Sequence, residues 1–92
     1  MRFLVSDPKY FTIRVTRQAK KDIETLSPKL KKKLYAILTE TIAQDPYQGK
    51  KLMGDLLGSY SYRLSFQDRL VYSIDEKTKT VYLERARTHY GQ

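Results

Sequence analysis

The 92-residue chain carries 18 Lys and Arg residues against 10 Asp and Glu residues, a formal net charge of +8. A domain this basic attracts polyanions, because Lys and Arg neutralise phosphates and release their counterions. An acidic protein or an anionic membrane could use the same field. The length fits one domain with one modest core. The absence of cysteine excludes disulfides and thiolate metal sites, and a single His among scattered carboxylates disfavours any metal centre.

The ends of the chain carry little further information. No apolar run is long enough for a membrane span or a secretory signal, so cytoplasmic residence is the expectation. The first ten residues, MRFLVSDPKY, read as an additional N-terminal segment punctuated by Pro8. We therefore expect a single domain over residues 1–92, with residues 1–10 as an extra lead.

The first half predicts one strand and two helices. Residues 11–16, FTIRVT, alternate apolar and polar side chains, which favours a half-buried strand. Helical spacing follows from Arg17 to Leu26. Ser27 and Pro28 are typical of an N-cap and a first helical residue, and apolar spacing carries this second helix to about Ala43.

Four lysines cluster in the first turn of the second helix: Lys29, Lys31, Lys32 and Lys33. Cations at a helix N-terminus oppose the helix dipole. We interpret the cluster as a solvated face of the helix, with phosphate or protein contact as the alternative.

The second half predicts three strands. Asp45 and Pro46 end the helix, and a loop rich in Gly and Lys follows. Alternating patterns then mark strands over residues 60–66, 69–74 and 80–87. The expected fold class is α+β, with two N-terminal helices packed on one face of a small, largely antiparallel four-stranded sheet. The other face can then present polar and cationic side chains.

Several segments in this order resemble the RelE/ParE toxin superfamily, with the closest pattern in RelE and YoeB-like messenger-RNA interferases. They are DPYQGKKLMGDLLGSYSYRL at 45–64, YRLSFQDRLVYSI at 62–74 and RTHY at 87–90. The resemblance covers roughly Phe11 to Tyr90. It implies a RelE-like, microbial RNase-like fold and a type II toxin that cuts messenger RNA on the ribosome. The 2′-hydroxyl would attack the adjacent phosphate, with no metal and no cofactor.

The resemblance also implies the partners. They are a cognate antitoxin protein that covers the basic surface, messenger RNA in the ribosomal A site, and ribosomal RNA. No membrane is involved.

Attack by a 2′-hydroxyl needs a base, an acid and cations beside the phosphate. Arg63 and Arg69 are the candidate cations, because a planar guanidinium suits bidentate phosphate contact and both fall on the polar face of adjacent strands. The resemblance assigns proton transfer to His89, and imidazole can act as acid or base near neutral pH. Tyr90 would stack on a base or orient the phosphate.

Three further cations are candidates for RNA binding: Lys50, Lys51 and Arg87. Arg87 aligns with the Arg of the RTHY-like ending. A Glu that often serves as general base in the YoeB-like pattern aligns with Lys50, so the identity of the base stays open. Lysines occupy this region in the RelE branch, where they can help proton transfer or simply dock RNA.

Two other functions remain open at this point. A ParE-type toxin would share the fold but poison DNA gyrase by binding, without cutting RNA. A non-enzymatic RNA-binding or regulatory module would need only the basic face. The pair His89 and Tyr90 favours the ribonuclease, because neither alternative gives it a catalytic task.

Overall fold

The computed structural model describes residues 10–52 and 58–88. The expected N-terminal lead therefore lies outside the described residues, apart from Tyr10. The helices and strands, in chain order, are β1 (Thr12–Val15), α1 (Arg17–Glu24), α2 (Pro28–Ile37), β2 (Lys50–Lys51), β3 (Ser59–Arg63), β4 (Arg69–Asp75) and β5 (Thr80–Thr88).

Both helices begin where the sequence predicts. The Thr16 hydroxyl accepts a hydrogen bond from the Ala19 N–H at 3.2 Å and caps α1. The Ser27 hydroxyl accepts from the Leu30 N–H at 3.2 Å and caps α2, with Pro28 as first residue. A π-helical turn, Leu38–Ile42, continues α2 toward the predicted end near Ala43. These caps satisfy N–H groups that have no partner within the helix.

The sheet has five strands in the order β1-β5-β4-β3-β2. β1 runs parallel to β5, and the other three pairings are antiparallel. The expectation of four strands is therefore wrong by one: Lys50 and Lys51 form the edge strand β2 opposite Ser61 and Tyr60. Two consecutive lysines show no alternation, so the sequence carries no strand signal there. Both helices follow β1, in the predicted order of strand, helix, helix.

One hydrophobic core lies between the helices and the sheet. α1 packs against β5, and the apolar side of α2 and its π turn close the same layer. The buried members are Phe11, Ile13, Ala19, Ile23, Leu26, Leu34, Leu38, Ile42, Ala43, Leu64, Leu70, Tyr72, Val81, Leu83 and Ala86. Among the described residues, no helix has the length and apolar character to cross a bilayer.

The turn between β3 and β4 differs from the prediction. The pattern places Phe66 at the end of a strand, on the same face as Tyr60 and Tyr62. In the structure β3 ends at Arg63, and the Phe66 side chain is 90% exposed. Backbone hydrogen bonds from the N–H groups of Leu64 and Ser65 to the Asp68 carbonyl, at 2.9 and 3.1 Å, close a turn over residues 64–68. The turn ends the alternation on which the prediction depended.

Asp22 joins α1 to β5 through a nearly buried carboxylate. It accepts hydrogen bonds from Arg85 Nε at 2.8 Å, the Ala86 N–H at 3.0 Å and Gln18 Nε2 at 3.1 Å. Burial raises the pKa of Asp22, but these hydrogen bonds outweigh it and hold the pKa below its ordinary value. The ionised carboxylate therefore stabilises the folded state.

We expect Asp22→Asn to lower the free energy of unfolding by about 1–2 kcal/mol at pH 7, because one charge-assisted acceptor is lost. The folded pKa lies below the unfolded value of about 3.9, so the contribution is present above that value and is lost as the pH falls through the folded pKa. Urea unfolding at pH 7 and pH 3 measures this. The difference between wild type and variant should shrink at pH 3, and Glu24→Gln, on the exposed side of α1, should show no such difference.

Candidate functional site

An open pocket of about 500 Å³ lies between α2 and the β2 edge of the sheet. Four of its lining residues are cations from four different elements: Lys33 of α2, Lys50 of β2, Arg63 of β3 and Arg69 of β4. We call it the cation pocket. The other described lining residues are Ile37, Gln48, Gly49, Ser61 and Tyr62, so none of the lining residues that the structure describes is a carboxylate.

Arg63 and Arg69 face each other across the β3–β4 ladder. Their Cα atoms are register partners at the end of the hairpin. Side chains directly opposite on antiparallel strands have Cβ atoms roughly 4.5–5.5 Å apart, and like charges there are destabilising. This arrangement costs stability and concentrates two guanidinium groups at one point of the surface.

The four pocket cations have no carboxylate partner among the residues that the structure describes. Lys33, Lys50 and Arg63 are exposed, and Arg69 is partly exposed. Their charges are therefore available to an anion that enters from solvent, and their mutual repulsion would fall when one binds.

Lys50 owes its position to a buried contact next to it. The Tyr72 hydroxyl donates a hydrogen bond of 2.6 Å to the Pro46 carbonyl. Burial raises the pKa of Tyr72 far above its usual value, so the hydroxyl stays protonated and can donate. A Cβ on Gly49 would overlap this hydroxyl and lie 2.8 Å from the Ser61 carbonyl oxygen. Only glycine allows the chain to approach the sheet this closely before β2.

A row of aromatic rings supports the same segment. Tyr60 stacks on Tyr72 with ring centroids 5.8 Å apart, and Tyr47 meets Tyr60 edge-on at 5.9 Å. Phe11 continues the row with an edge-on contact to Tyr47 at 6.2 Å. These contacts hold the 3₁₀ turn Pro46–Gln48 against the sheet, and Lys50 follows two residues later.

Lys33 was missed as a site residue by the sequence analysis. The cluster Lys29 to Lys33 was interpreted as a solvated face, and the structure brings only Lys33 of the cluster to the cation pocket. The sequence carries no signal that separates Lys33 from the other lysines of the cluster. Its helical pattern shows which side of α2 is apolar, but it does not show which strand end lies beside the first turns of the helix.

Ser61 also lines the cation pocket. It sits opposite Lys50 in the β2–β3 register, and its buried hydroxyl has no hydrogen-bond partner among the described residues. A buried hydroxyl without a partner is uncommon in native proteins. Strand alternation puts Ser61 on the same polar face as Arg63, but the residue type alone indicates no role.

Arg87 is placed differently from the other predicted site residues. Its Nε donates to Asp68 at 3.4 Å, and its Nη1 donates to the carbonyl and hydroxyl of Thr25 at 3.0 and 3.2 Å. It joins β5 to the β3–β4 turn and to the end of α1, and it does not line the cation pocket. RNA binding by Arg87 stays a prediction.

Of the remaining predicted residues, only Lys51 lies in the described part of the chain, and it does not line the cation pocket. Lys51 is exposed on β2, with its Cα opposite Tyr60, and successive strand residues point to opposite faces. β5 ends at Thr88, whose Cα partner is Arg69. His89 and Tyr90 lie outside the described residues, so their assigned roles stay predictions. The described part of the chain contains no group of three or more His, Asp or Glu side chains that could hold a metal.

Residues 13–91 match the model of a protein family described as ParE-like toxin of type II bacterial toxin–antitoxin system. The chain belongs to this family, and the predicted resemblance to the RelE/ParE superfamily is confirmed. No curated protein sequence matches the chain.

Solved structures of toxins and toxin–antitoxin complexes have the same fold. The chain is 30% identical to a chain of the RelBE2 complex from Mycobacterium tuberculosis, with a TM-score of 0.79 over 87% of this chain and 98% of that one. It is 26% identical to a chain of the YoeB–YefM complex from Staphylococcus aureus, with a TM-score of 0.71 over 87% and 98%. The YoeB/ParE toxin from Agrobacterium tumefaciens, at 20% identity and a TM-score of 0.77 over 87% and 100%, shares the fold.

We expect Gly49→Ala to lower the free energy of unfolding by about 1–3 kcal/mol, because the new methyl group overlaps the Tyr72 hydroxyl. Urea unfolding measures the loss. In a Tyr72→Phe background the overlapping oxygen is gone, so the alanine should cost less than it does in the wild type. Equal costs in the two backgrounds would contradict the contact, and Gln48→Ala, at an exposed neighbour, should change stability little.

Proposed function

We propose that this toxin is a ribosome-dependent messenger-RNA endonuclease whose cation pocket binds the phosphate that is cut. The observation that carries the proposal is the register pairing of Arg63 with Arg69 in an open pocket that also receives Lys50 and Lys33. An RNA phosphate supplies the negative charge that these residues lack, and two guanidinium groups can contact its oxygens by paired hydrogen bonds.

The cations suit the charge that develops during the reaction. The 2′-oxygen forms a bond to phosphorus as its proton leaves, and the bond from phosphorus to the 5′-oxygen breaks as that oxygen gains a proton. The products are a 2′,3′-cyclic phosphate and a 5′-hydroxyl. Negative charge grows on the phosphate oxygens meanwhile, and donors already in place stabilise it without reorganisation. Arg63 and Arg69 would take this part.

The reaction also needs groups that carry protons, and two residues are candidates. His89 follows β5 directly, and Thr88, the last residue of that strand, pairs with Arg69. A His that follows this pairing is suited to exchange protons with the 2′-oxygen or the 5′-oxygen. Lys50 is the second candidate, because it lines the cation pocket. Tyr90 would stack on a base or orient the phosphate.

The resemblance to RelE and YoeB-like toxins implies the partners, and the net charge of +8 suits them. They are messenger RNA in the ribosomal A site and ribosomal RNA, with Lys51 and Arg87 as further candidate contacts, and action on the ribosome would place the protein in the cytoplasm. The neighbours from Mycobacterium tuberculosis and Staphylococcus aureus were solved as toxin–antitoxin complexes, which supports a cognate antitoxin for this chain.

A translation reaction with purified protein tests the proposed function. Message cut at codon positions during translation, with free RNA left intact, supports the endonuclease. Full-length message together with inhibited DNA gyrase would favour a ParE-type toxin, to which the name of the matching family also points. RNA binding with neither effect would favour a non-enzymatic module.

We expect Arg69→Ala and His89→Ala each to lower cleavage in this reaction by at least about tenfold, because one removes phosphate stabilisation and the other proton transfer. Toeprinting of the translated message measures the rate. Lys77→Ala removes an exposed cation from the β4–β5 turn, outside the cation pocket, and should cut normally. Unchanged rates in both site variants would refute the assignment.

We expect Lys33→Ala to weaken RNA binding several-fold, because it removes one of the four pocket cations. Lys29→Ala is the matched control, since Lys29 is an exposed lysine of the same helix that does not line the pocket. Fluorescence anisotropy with a 2′-O-methyl RNA gives both affinities. Equal losses in the two variants would mean that Lys33 adds only to the general basic field.

A further inference from the structure

Phe66 is an anomaly of the described surface. Its side chain is 90% exposed, whereas the other exposed large apolar side chains in the described ranges, 10–52 and 58–88, reach at most 47%. Strand alternation places Phe66 on the same face as Tyr60 and Tyr62, which are only partly exposed, so the pattern of the chain does not account for the exposure. Packing in the core therefore does not explain why an aromatic residue occupies this position.

The turn that carries Phe66 is well held. The Ser65 hydroxyl accepts hydrogen bonds from the N–H groups of Gln67 and Asp68, at 3.3 and 3.1 Å, and donates one to the Asp68 carboxylate at 3.3 Å. Asp68 is buried and also accepts from Arg87, which anchors the turn to β5. The ring is thus presented to solvent by a preorganised turn, which lowers the entropy that a partner must overcome.

The position of Phe66 relates it to the cation pocket. Its turn connects Arg63 to Arg69, so Phe66 is three residues from each and its Cα lies at most about 11 Å from either Cα. Phe66 does not line the cation pocket, but its turn joins the two strand ends that do. An exposed aromatic ring within this distance of paired cations is a combination that binds single-stranded RNA, in which phosphates meet the cations and a base stacks on the ring.

We propose that Phe66 stacks on a nucleobase of the RNA whose phosphate occupies the cation pocket. This inference rests on the proposed function and adds a base contact to it. Ser65 and Gln67, on either side of Phe66, are polar, so within this turn the ring is not part of an apolar run such as protein partners usually cover. Stacking accepts every base, so Phe66 contributes affinity and leaves the choice of codon to other residues.

The test uses a 2′-O-methyl RNA oligonucleotide, which cannot be cut, and an abasic chain of the same length. Fluorescence anisotropy gives the Kd of each for the wild type and the variants. Phe66→Ala and Phe66→Leu should raise the Kd for the oligonucleotide about tenfold and leave the Kd for the abasic chain unchanged. Phe66→Tyr should keep the wild-type affinity. Tyr35→Ala, at an exposed aromatic residue of α2 outside the cation pocket, should also bind normally.

The salt dependence separates stacking from charge. Phe66→Ala should leave the slope of log Kd against log salt unchanged, whereas Arg63→Ala should lower it by about 0.7, the value for one phosphate contact on a single strand. Because Phe66 is almost fully exposed, its variants should unfold at the same urea concentration as the wild type.

Wild-type affinity in Phe66→Ala, or in Phe66→Leu, overturns the proposal and points to a protein partner for the ring. An equal loss on the abasic chain also overturns it, since no base is present there to stack. Failure of the proposed function is distinguishable, because a chain that binds RNA without cutting it during translation refutes the endonuclease and still reports the contribution of Phe66.

Discussion

The register of the β3–β4 hairpin is the constraint on which the candidate site depends. It places Arg63 directly opposite Arg69, where two like charges repel each other across the ladder. A shift of one residue would turn every side chain of one strand to the other face and separate the pair. The buried partners of this hairpin, Leu70 and Tyr72, hold the register from the core side. Packing in the core thus fixes a charge arrangement that is unfavourable without an anion.

Two carboxylates of the fold pair with arginines other than Arg63 and Arg69. Asp22 accepts hydrogen bonds from Arg85, and Asp68 accepts one from Arg87. Both carboxylates are nearly buried, so they act as anchors between elements. Both arginines of β5 therefore contribute to the fold, while the cations around the pocket have no acidic neighbour among the lining residues that the structure describes. The net charge does not distinguish the arginines that bind carboxylates from the cations that line the pocket, because it counts every cation equally.

The turn after β3 connects these two systems. Asp68 closes the turn through its backbone carbonyl and through Ser65, and its carboxylate also holds Arg87. The same turn presents Phe66 and joins the strand ends that carry Arg63 and Arg69. Asp68 therefore holds the turn and also binds Arg87. A substitution of Asp68 would loosen the turn that carries Phe66 and joins Arg63 to Arg69, and it would break the link to β5.

The sequence by itself determined the α+β class, both helices, the cap of the second helix at Ser27, the three C-terminal strands and the family. Hydrophobic periodicity and capping residues are local signals, and each can be read within one turn or one strand. It also pointed to Arg63 and Arg69, because alternation places both on the polar face of neighbouring strands.

Tertiary structure alone decided which cations share a pocket and which are bound to carboxylates. The edge strand at Lys50 depends on pairing with Ser61 and Tyr60, and the approach of Gly49 to Tyr72 joins segments that are far apart along the chain. Lys33 reaches the pocket only because α2 packs beside those strands, and Arg87 lies outside it, where it donates hydrogen bonds to Asp68 and Thr25. Such contacts depend on how far apart the helices and strands lie in space. The periodicity of a sequence pattern carries no information about that distance.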